Sequence, residues 1–151
     1  MSKEKQYLIS SIRDYILTCP YLEKLEDLGI NFLDETSNSF SIEEVPSKSK
    51  IKKYVDGSIL KQITFVVASI FDFSDELQNQ IDNSGFYEDF SDWIEDNNDK
   101  GVLPILKEGL TPEEIEVETS GYLYNIFDGI KKARYQIQCK FTYLKEGNVW
   151  L

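Results

Sequence analysis

The sequence has no histidine and only two cysteines among its 151 residues. Without histidine, the chain cannot build a Ser–His or Cys–His catalytic pair or a histidine-ligated zinc site. The two cysteines, Cys19 and Cys139, lie far apart in the sequence. In a chain with the composition of a cytosolic protein, we expect two buried free thiols in preference to a disulfide or a metal site.

Basic residues are scarce relative to acidic ones. Lysine and arginine together number 16, aspartate and glutamate number 27, and the formal net charge is −11. A phosphate backbone repels such a domain, because affinity for DNA depends on lysine and arginine displacing counterions. The composition argues against nucleic-acid binding as the main function, although an acidic ring would let DNA pass without binding it. Taken as a total, a net charge of this size is typical of one that keeps a protein soluble.

Long apolar runs and glycine-rich loops are also missing. The longest apolar run, Ile63 to Phe71, is too short to span a bilayer, and the charged start Met1–Lys5 predicts no targeting signal. Gly29, Gly57 and Gly85 stand singly at predicted turns, which excludes a glycine-rich phosphate loop. The sequence therefore predicts a soluble protein without a nucleotide cofactor.

The residues that are present describe a globular domain that begins with a helix. Apolar residues make up 41% of the chain, enough for one domain over residues 1–151 with its own hydrophobic core. The apolar positions between Gln6 and Cys19 have helical spacing, with Arg13 and Asp14 facing water. Pro20 ends this helix, because the residue before a proline is disfavoured in the α region.

The middle of the chain indicates strands. Two short strands, Leu28–Leu33 and Ser39–Val45, are separated by turn residues at 34–38. Asp56-Gly57 is a favoured turn pair. The following run, Ile59–Phe71, is apolar on both faces, which predicts a central strand covered on both sides.

A broken helix is predicted next. Ser74 or Asp75 is the expected N-cap, and Leu77 and Ile81 form the expected apolar stripe, before Asn83–Gly85 interrupts the pattern. A second helical stretch follows and ends within residues 97–101. Its apolar face consists of Phe86, Phe90, Trp93 and Ile94, and its acidic face of Glu88, Asp89, Asp92, Glu95 and Asp96.

Two alternating strands complete the pattern. A linker through Pro104 and Thr111-Pro112 leads to Ile115–Thr119, and a hairpin turned near Asp128-Gly129 leads to Arg134–Tyr143. The inward residues of the second strand are Tyr135, Ile137, Cys139, Phe141 and Tyr143. The order of elements predicts an α+β fold in which helices pack on one face of a largely antiparallel mixed sheet.

No group of residues indicates catalysis. Paired carboxylates occur at strand ends, a helix start and a turn, where solvated acids are ordinary: Glu43-Glu44, Asp75-Glu76 and Glu113-Glu114. Acids at helical spacing are better explained as a solvated face than as an ion site: Asp82, Asp89, Asp92 and Asp96. We therefore assign no catalytic, cofactor-binding or metal-ligating residue, and we predict that the chain is not an enzyme.

Two features suit an interface. The cluster Lys48–Lys53 is either a loop that meets an acidic patch on a neighbouring copy or an edge strand that lysines protect from aggregation, and the sequence favours neither alternative. Trp93 belongs to the helical stripe and is expected in the core. Trp150 follows the last strand and is a candidate anchor on a partner.

Four segments spread over nearly the whole chain carry a family resemblance. They are Ile12–Pro20, Ile51–Ser58 with Lys61-Gln62, Asn83–Phe90 with Trp93-Ile94, and Ala133–Cys139. Together they resemble the tail-completion or tail terminator proteins of clostridial and related Gram-positive bacteriophages, a minor capsid-type family. None of these segments is a catalytic signature.

The resemblance implies a lambda-type tail terminator fold and a structural role in the virion. Such a protein forms a homohexameric ring that caps the tail tube, ends its polymerisation and joins the tail to the head. The implied partners are other copies of the chain, the tail tube protein, a head-completion or neck protein, and a sheath protein if the tail is contractile. The implied location is the head–tail junction, after assembly in the host cytoplasm, with DNA only as passing cargo and no membrane.

Seven residues are predicted to contact a neighbouring copy or another partner: Lys52, Lys53, Tyr54, Asp56, Arg134, Lys140 and Trp150. Arg134 and Lys140 are placed on the outward face of the last strand. The competing functions are a neck or head-completion adaptor, which would share the size and acidity, and a small acidic binding module.

Overall fold

The computed structural model describes residues 7–22, 28–30, 39–74, 76–127 and 129–147. Within these residues there are two helices and seven strands. The helices are α1 (Leu8–Ile16) and α2 (Leu77–Lys100). The strands are β1 (Leu28–Ile30), β2 (Ser39–Val45), β3 (Lys50–Lys53), β4 (Ile59–Asp72), β5 (Leu110–Val117), β6 (Tyr122–Phe127) and β7 (Lys132–Lys145).

Two long strands organise the sheet. β4 and β7 have 14 residues each and pair antiparallel from Ile59 opposite Lys145 to Asp72 opposite Lys132. β2 and β3 follow one another along the outer side of β4, and β5 and β6 do so along the outer side of β7. β1 runs parallel to β2, which makes the sheet mixed. The predicted central strand is confirmed, because residues 64–71 of β4 are buried on both faces.

Both helices pack on one face of the sheet, as predicted for this α+β fold. The core joins α1 and α2 to alternate residues of β4 and β7, so the pleat alone decides which side chains are inward. All five residues predicted inward on the last strand are buried, and so are both cysteines, which are free thiols. Trp93 is half-buried against this core, with its ring centroid 5.1 Å from that of Tyr15.

The first helix has its predicted inward face, but it ends earlier than predicted and one arginine is placed differently. α1 buries Ile12, Tyr15 and Ile16 and ends at Ile16, four residues before Pro20, with Leu17 as its C-cap. Asp14 is exposed as expected. Arg13 was expected to face water, but its Nε donates a hydrogen bond to the carbonyl of Leu28, at 2.9 Å. The long arginine side chain therefore links α1 to β1.

The predicted break at Asn83–Gly85 is wrong, because α2 is one continuous helix of 24 residues. Its inward positions are Asn83, Tyr87, Phe90 and Ile94, which have helical spacing across the expected break. The Asn83 side chain is buried and its Nδ2 donates to the carbonyl of Asp72, at 2.9 Å. Packing against the sheet thus outweighs the cost of about 1 kcal/mol for a glycine inside a helix.

The start of α2 also differs from the prediction. Glu76 is the N-cap and makes no side-chain capping bond, while the Ser74 hydroxyl accepts from the Glu76 N–H, at 3.2 Å. Leu77 and Ile81 were predicted to face the core, but they are 72% and 51% exposed. The inward face is set by the residues that contact the sheet, and Leu77 is turned about a third of a turn from Asn83. The predicted end holds, because Gly101 caps the helix with φ of +74°.

The C-terminal strands correct two further predictions. Thr111-Pro112 belongs to β5 instead of a linker, and a proline is tolerated there because β5 lies at the margin of the sheet, with an irregular register at Pro112. The predicted single hairpin omitted β6, which pairs with β7 across the turn at Gly129. β6 was missed because its sequence, Tyr-Leu-Tyr-Asn-Ile-Phe, is apolar at consecutive positions and does not alternate.

Candidate functional site

One margin of the sheet is lined by lysines. Lys48 precedes β3, and Lys50, Lys52 and Lys53 lie within it; all four are exposed, and we call them the lysine edge. β3 pairs with β4 only, among the strands described here. Lys52 Nζ lies 5.1 Å from the centroid of the Tyr54 ring, so the predicted contact residues Lys52 and Tyr54 also contact each other. The lysine edge is therefore the outer side of a β-hairpin.

The hairpin turn is held by Asp56. Its Oδ1 accepts hydrogen bonds from the N–H of Ser58, at 2.9 Å, and from the Ser58 hydroxyl, at 2.6 Å. These bonds lower the pKa of the Asp56 carboxyl, because they favour its ionised form. Tyr54 and Ser58 pair across the turn, and Val55 is fully exposed at the tip. The turn thus has a fixed conformation and presents an apolar side chain and an aromatic one.

The opposite margin is acidic. Glu113, Glu114, Glu116 and Glu118 lie in or just after β5, and we call them the glutamate edge. Glu116 accepts from Lys140 Nζ, at 3.0 Å, and this hydrogen bond raises the pKa of Lys140, to which the nearby charges of Glu118 and Glu114 also contribute. Lys140 thus faces three of these four glutamates, and the edge keeps a negative charge.

The two edges lie at the same end of the sheet. Lys53 is opposite Ile59, Ile59 is opposite Lys145, and Lys145 is opposite Leu110 at the start of β5. Each of these pairings is antiparallel, so β3 and β5 run in opposite directions. A second copy placed beside the first in the same orientation would therefore bring its lysine edge, antiparallel, alongside the glutamate edge of the first.

A groove joins the hairpin turn to the glutamate edge across the face of the sheet away from the helices. It has a volume of about 480 Å³. Its lining residues are Tyr54, Asp56, Ser58, Leu60, Glu113, Glu114, Thr142 and Leu144. The floor is largely apolar and three carboxylates stand at its sides, which suits a lysine whose apolar stem is buried and whose ammonium is paired.

The same outer face carries a hydrogen-bonded cluster around Arg134. Arg134 reaches over β4 to Glu43 of β2, with its NH2 nitrogen 2.8 Å from Oε1, and its Nε donates to the Gln136 side chain, at 3.0 Å. The Gln136 amide in turn donates to the Tyr122 hydroxyl, at 2.6 Å. The Tyr124 ring lies over the guanidinium, with its centroid 4.9 Å away. These contacts tie β2, β6 and β7 together across the face.

The predicted contact residues fall into two groups. Lys52, Lys53, Tyr54 and Asp56 are together in the hairpin, whereas Arg134 and Lys140 lie on the outer face and are each paired with a glutamate of the same chain. Trp150 lies outside the described residues. From the sequence, an acidic patch on a neighbouring copy was predicted without being located, and the glutamate edge was not identified. The alternation of Glu114, Glu116 and Glu118 along one strand was the available signal.

The described residues contain no group of three or more histidine, cysteine, aspartate or glutamate side chains placed to hold a metal ion. Neither helix in this part of the chain has the length and apolar character needed to cross a membrane.

No protein-family model matches the chain, and no curated protein matches it significantly.

Proposed function

We propose that the chain is a non-enzymatic structural protein of a bacteriophage or phage-tail-like particle, and that it assembles into a ring at the top of the tail. The ring, which we take to be a homohexamer, caps the tail tube, ends its polymerisation and joins the tail to the head. The proposal rests on the charges of the two sheet edges and on the resemblance to tail terminator proteins.

The observation that carries the proposal is the opposite charge of the two margins of one sheet. A surface that is complementary to a different surface of the same molecule produces head-to-tail contacts, which close into a ring when the rotation per copy allows. The lysine edge can contact the glutamate edge of the next copy without placing like charges opposite each other. The antiparallel directions of β3 and β5 support the same arrangement.

In this arrangement Lys52 and Lys53 contact the glutamates of the next copy. Tyr54 and Asp56 line the groove, which receives a lysine side chain of a neighbouring copy. The tail tube protein binds one side of the ring, and a head-completion or neck protein binds the other; a sheath protein is a further neighbour if the tail contracts. A net charge of −11 per copy lets DNA move through the lumen without adhering to it.

The test is electron microscopy of particles made with and without this chain. We expect tails that are too long and lack heads when the chain is absent, and tails of uniform length when it is supplied again. Normal tail length with DNA lost from unjoined heads would instead assign the chain to the neck. Unchanged particles would overturn a structural role.

A further inference from the structure

The groove between the hairpin turn and the glutamate edge has an apolar floor. Leu60 of β4 and Leu144 of β7 lie opposite each other in the sheet, line this groove and are both half-buried. The Tyr54 side chain, which is 39% exposed, also lines the groove. Water that contacts such a floor is released when an apolar group covers it, and this release is favourable.

The chain leaves the sheet at the edge of this groove. Just after β7, the Glu146 N–H donates to the carbonyl of Gly109, at 2.9 Å. Gly147 then lies against the hairpin turn, because a Cβ built on it would come 2.5 Å from the Asp56 carbonyl oxygen and 2.7 Å from the Ser58 nitrogen. Asp56 and Ser58 both line the groove. The residues that follow Gly147 therefore start beside the apolar floor.

Trp150 is within reach of this floor. It lies outside the described residues and is three positions beyond Gly147 in the sequence. Three residues span at most about 10 Å, at roughly 3.3–3.6 Å per residue. An indole has a large apolar surface and one N–H donor, and the groove has an apolar floor and carboxylate acceptors on Glu113 and Glu114. The chemistry of the side chain thus matches that of the groove.

We propose that Trp150 packs into the groove of its own chain, with its ring on Leu60 and Leu144 and its Nε1–H donating to a carboxylate of the glutamate edge. A tryptophan side chain occupies at most roughly 300 Å³, even if each heavy atom takes the 30 Å³ of one liquid water. The groove of about 480 Å³ therefore has room beside it. In the proposed ring, the lysine that enters the groove lies over the indole face, which attracts a cation.

Tethering favours the groove of the same chain over the groove of another copy. A group joined by a short segment is presented to its site at an effective concentration on the order of millimolar. The Trp150 of a second copy would need a similar concentration to compete. The contact is therefore made within one chain at micromolar concentration, and it does not depend on the ring.

The test is quenching of tryptophan fluorescence by acrylamide in Trp93→Phe, which leaves Trp150 as the one remaining tryptophan of two. We expect a quenching constant at least about twofold below that of the same chain unfolded in urea, because the floor covers one of the two faces of the ring. Leu144→Glu places a charge on the floor and should raise the constant to the unfolded value. Leu123→Glu is the matched control, at a leucine that is 42% exposed on β6 opposite Tyr135, and should leave the constant unchanged.

A second measurement and a second variant keep the test decisive if Trp93→Phe or Leu144→Glu does not fold. Fluorine NMR of the chain labelled with fluorotryptophan reports on Trp150 without a change in the core, and Trp150→Phe assigns its resonance. Leu60→Glu alters the other floor residue and should move this resonance to its position in the unfolded chain.

Both measurements are made at a salt concentration of roughly 1 M, where the Debye length is about 3 Å and the charged contacts of the ring are screened. The chain concentration is varied over the micromolar range, and shielding of Trp150 should not change with it. A Trp150 as accessible as in the unfolded chain, or shielding that both floor variants leave intact, would overturn the proposal. Shielding that appears only as the concentration rises would also overturn it, because the ring would then occupy the groove of another copy.

Discussion

Tyr87 lies at the centre of the packing between α2 and the sheet. Its side chain is 1% exposed, and its hydroxyl donates to the carbonyl of Tyr135, at 3.1 Å, and shares a hydrogen bond with the hydroxyl of Ser69, at 2.5 Å. Its ring also contacts those of Phe71, Phe86 and Tyr135. Burial raises the pKa of Tyr87, so the phenol stays protonated and can donate at all ordinary pH values.

Removing the Tyr87 hydroxyl leaves two buried groups without their partner. We expect Tyr87→Phe to lower the free energy of unfolding by about 1–3 kcal/mol, because buried Ser69 and the Tyr135 carbonyl lose a hydrogen bond. The measurement is urea denaturation, with Tyr7→Phe as the control at a tyrosine that is 59% exposed. Adding Ser69→Ala to Tyr87→Phe should cost less than the sum of the two single changes. Equal losses for Tyr87→Phe and Tyr7→Phe would contradict this role.

The buried thiols predict a loss of stability at alkaline pH. Burial raises the pKa of Cys19 to about 11 and raises that of Cys139 further. An exposed thiol in the unfolded chain ionises near pH 8.5, at about the ordinary pKa. Above that pH the unfolded state releases protons that the folded state retains, so the free energy of unfolding falls by up to about 1.4 kcal/mol per pH unit and thiol.

Cys139→Ala tests this linkage. We expect its unfolding free energy, measured in urea between about pH 8 and pH 10, to fall less steeply with pH than that of the wild type. The comparison uses slopes, because the cavity left by the sulfur lowers stability equally at every pH. Parallel curves for the two proteins would show that the Cys139 thiol does not titrate as the burial predicts.

At the level of elements, α2 shows where local sequence and tertiary packing disagree. Asn83-Ser84-Gly85 has the composition of a turn, yet the helix continues through it because Asn83, Tyr87 and Phe90 all lie against the sheet. The boundary at Gly101 was predictable, since a glycine after the last helical residue is a local signal. The continuity of the helix through Asn83–Gly85 was not predictable from the sequence, because it depends on contact with β4. The carbonyl of Asp72 in β4 accepts a hydrogen bond from the Asn83 side chain.

Two glycine substitutions in and after α2 should act in opposite directions. At Gly85 a Cβ meets nothing within 4 Å, so Gly85→Ala should stabilise the chain by roughly 0.5–1 kcal/mol through helix propensity. At Gly101, where φ is +74°, Gly101→Ala should destabilise it by about 1 kcal/mol, because an L side chain is strained there. Thermal unfolding of both variants provides the comparison. A destabilising Gly85→Ala would mean that this position is not ordinary helix.

At the level of the whole molecule, assembly depends on where the strands bring charge. The lysines lie within six positions of the sequence, which left open whether they form an interface loop or a protected edge strand. The glutamate edge was not predicted as the matching surface, because Glu113 and Glu114 lie about sixty residues from the lysines in the sequence. They become the opposite margin only when β4 and β7 are placed between β3 and β5. The sequence contains both charges, and the topology separates them by the width of the sheet.

A charge exchange tests the proposed ring contact. The variant Lys52→Glu with Lys53→Glu should fail to restore normal tails, because each interface would then oppose glutamates to glutamates. Adding Glu113→Lys and Glu114→Lys to that variant reinstates opposite charges across the interface and should restore normal tails. The measurement is the fraction of head-joined tails of normal length in particles that lack the wild-type chain.

A control variant separates local from total charge. Lys100→Glu with Lys131→Glu changes the net charge equally, at exposed positions away from both edges, and should support normal assembly. If the fourfold exchange fails as completely as the first variant, the two edges do not contact each other.

By itself, the sequence determined the elements whose signals are local: the apolar and alternating strands β2, β4 and β7, the amphipathic α1, the helix end at Gly101 and the buried cysteines. The helix and the strands follow from the arrangement of their apolar residues, whereas the glycine that ends α2 and the isolated cysteines are local signals of their own. Tertiary structure decided the rest. It set which face of α2 is inward, made Thr111-Pro112 part of a strand and left β6 exposed, because each of these depends on contacts between residues far apart in the chain.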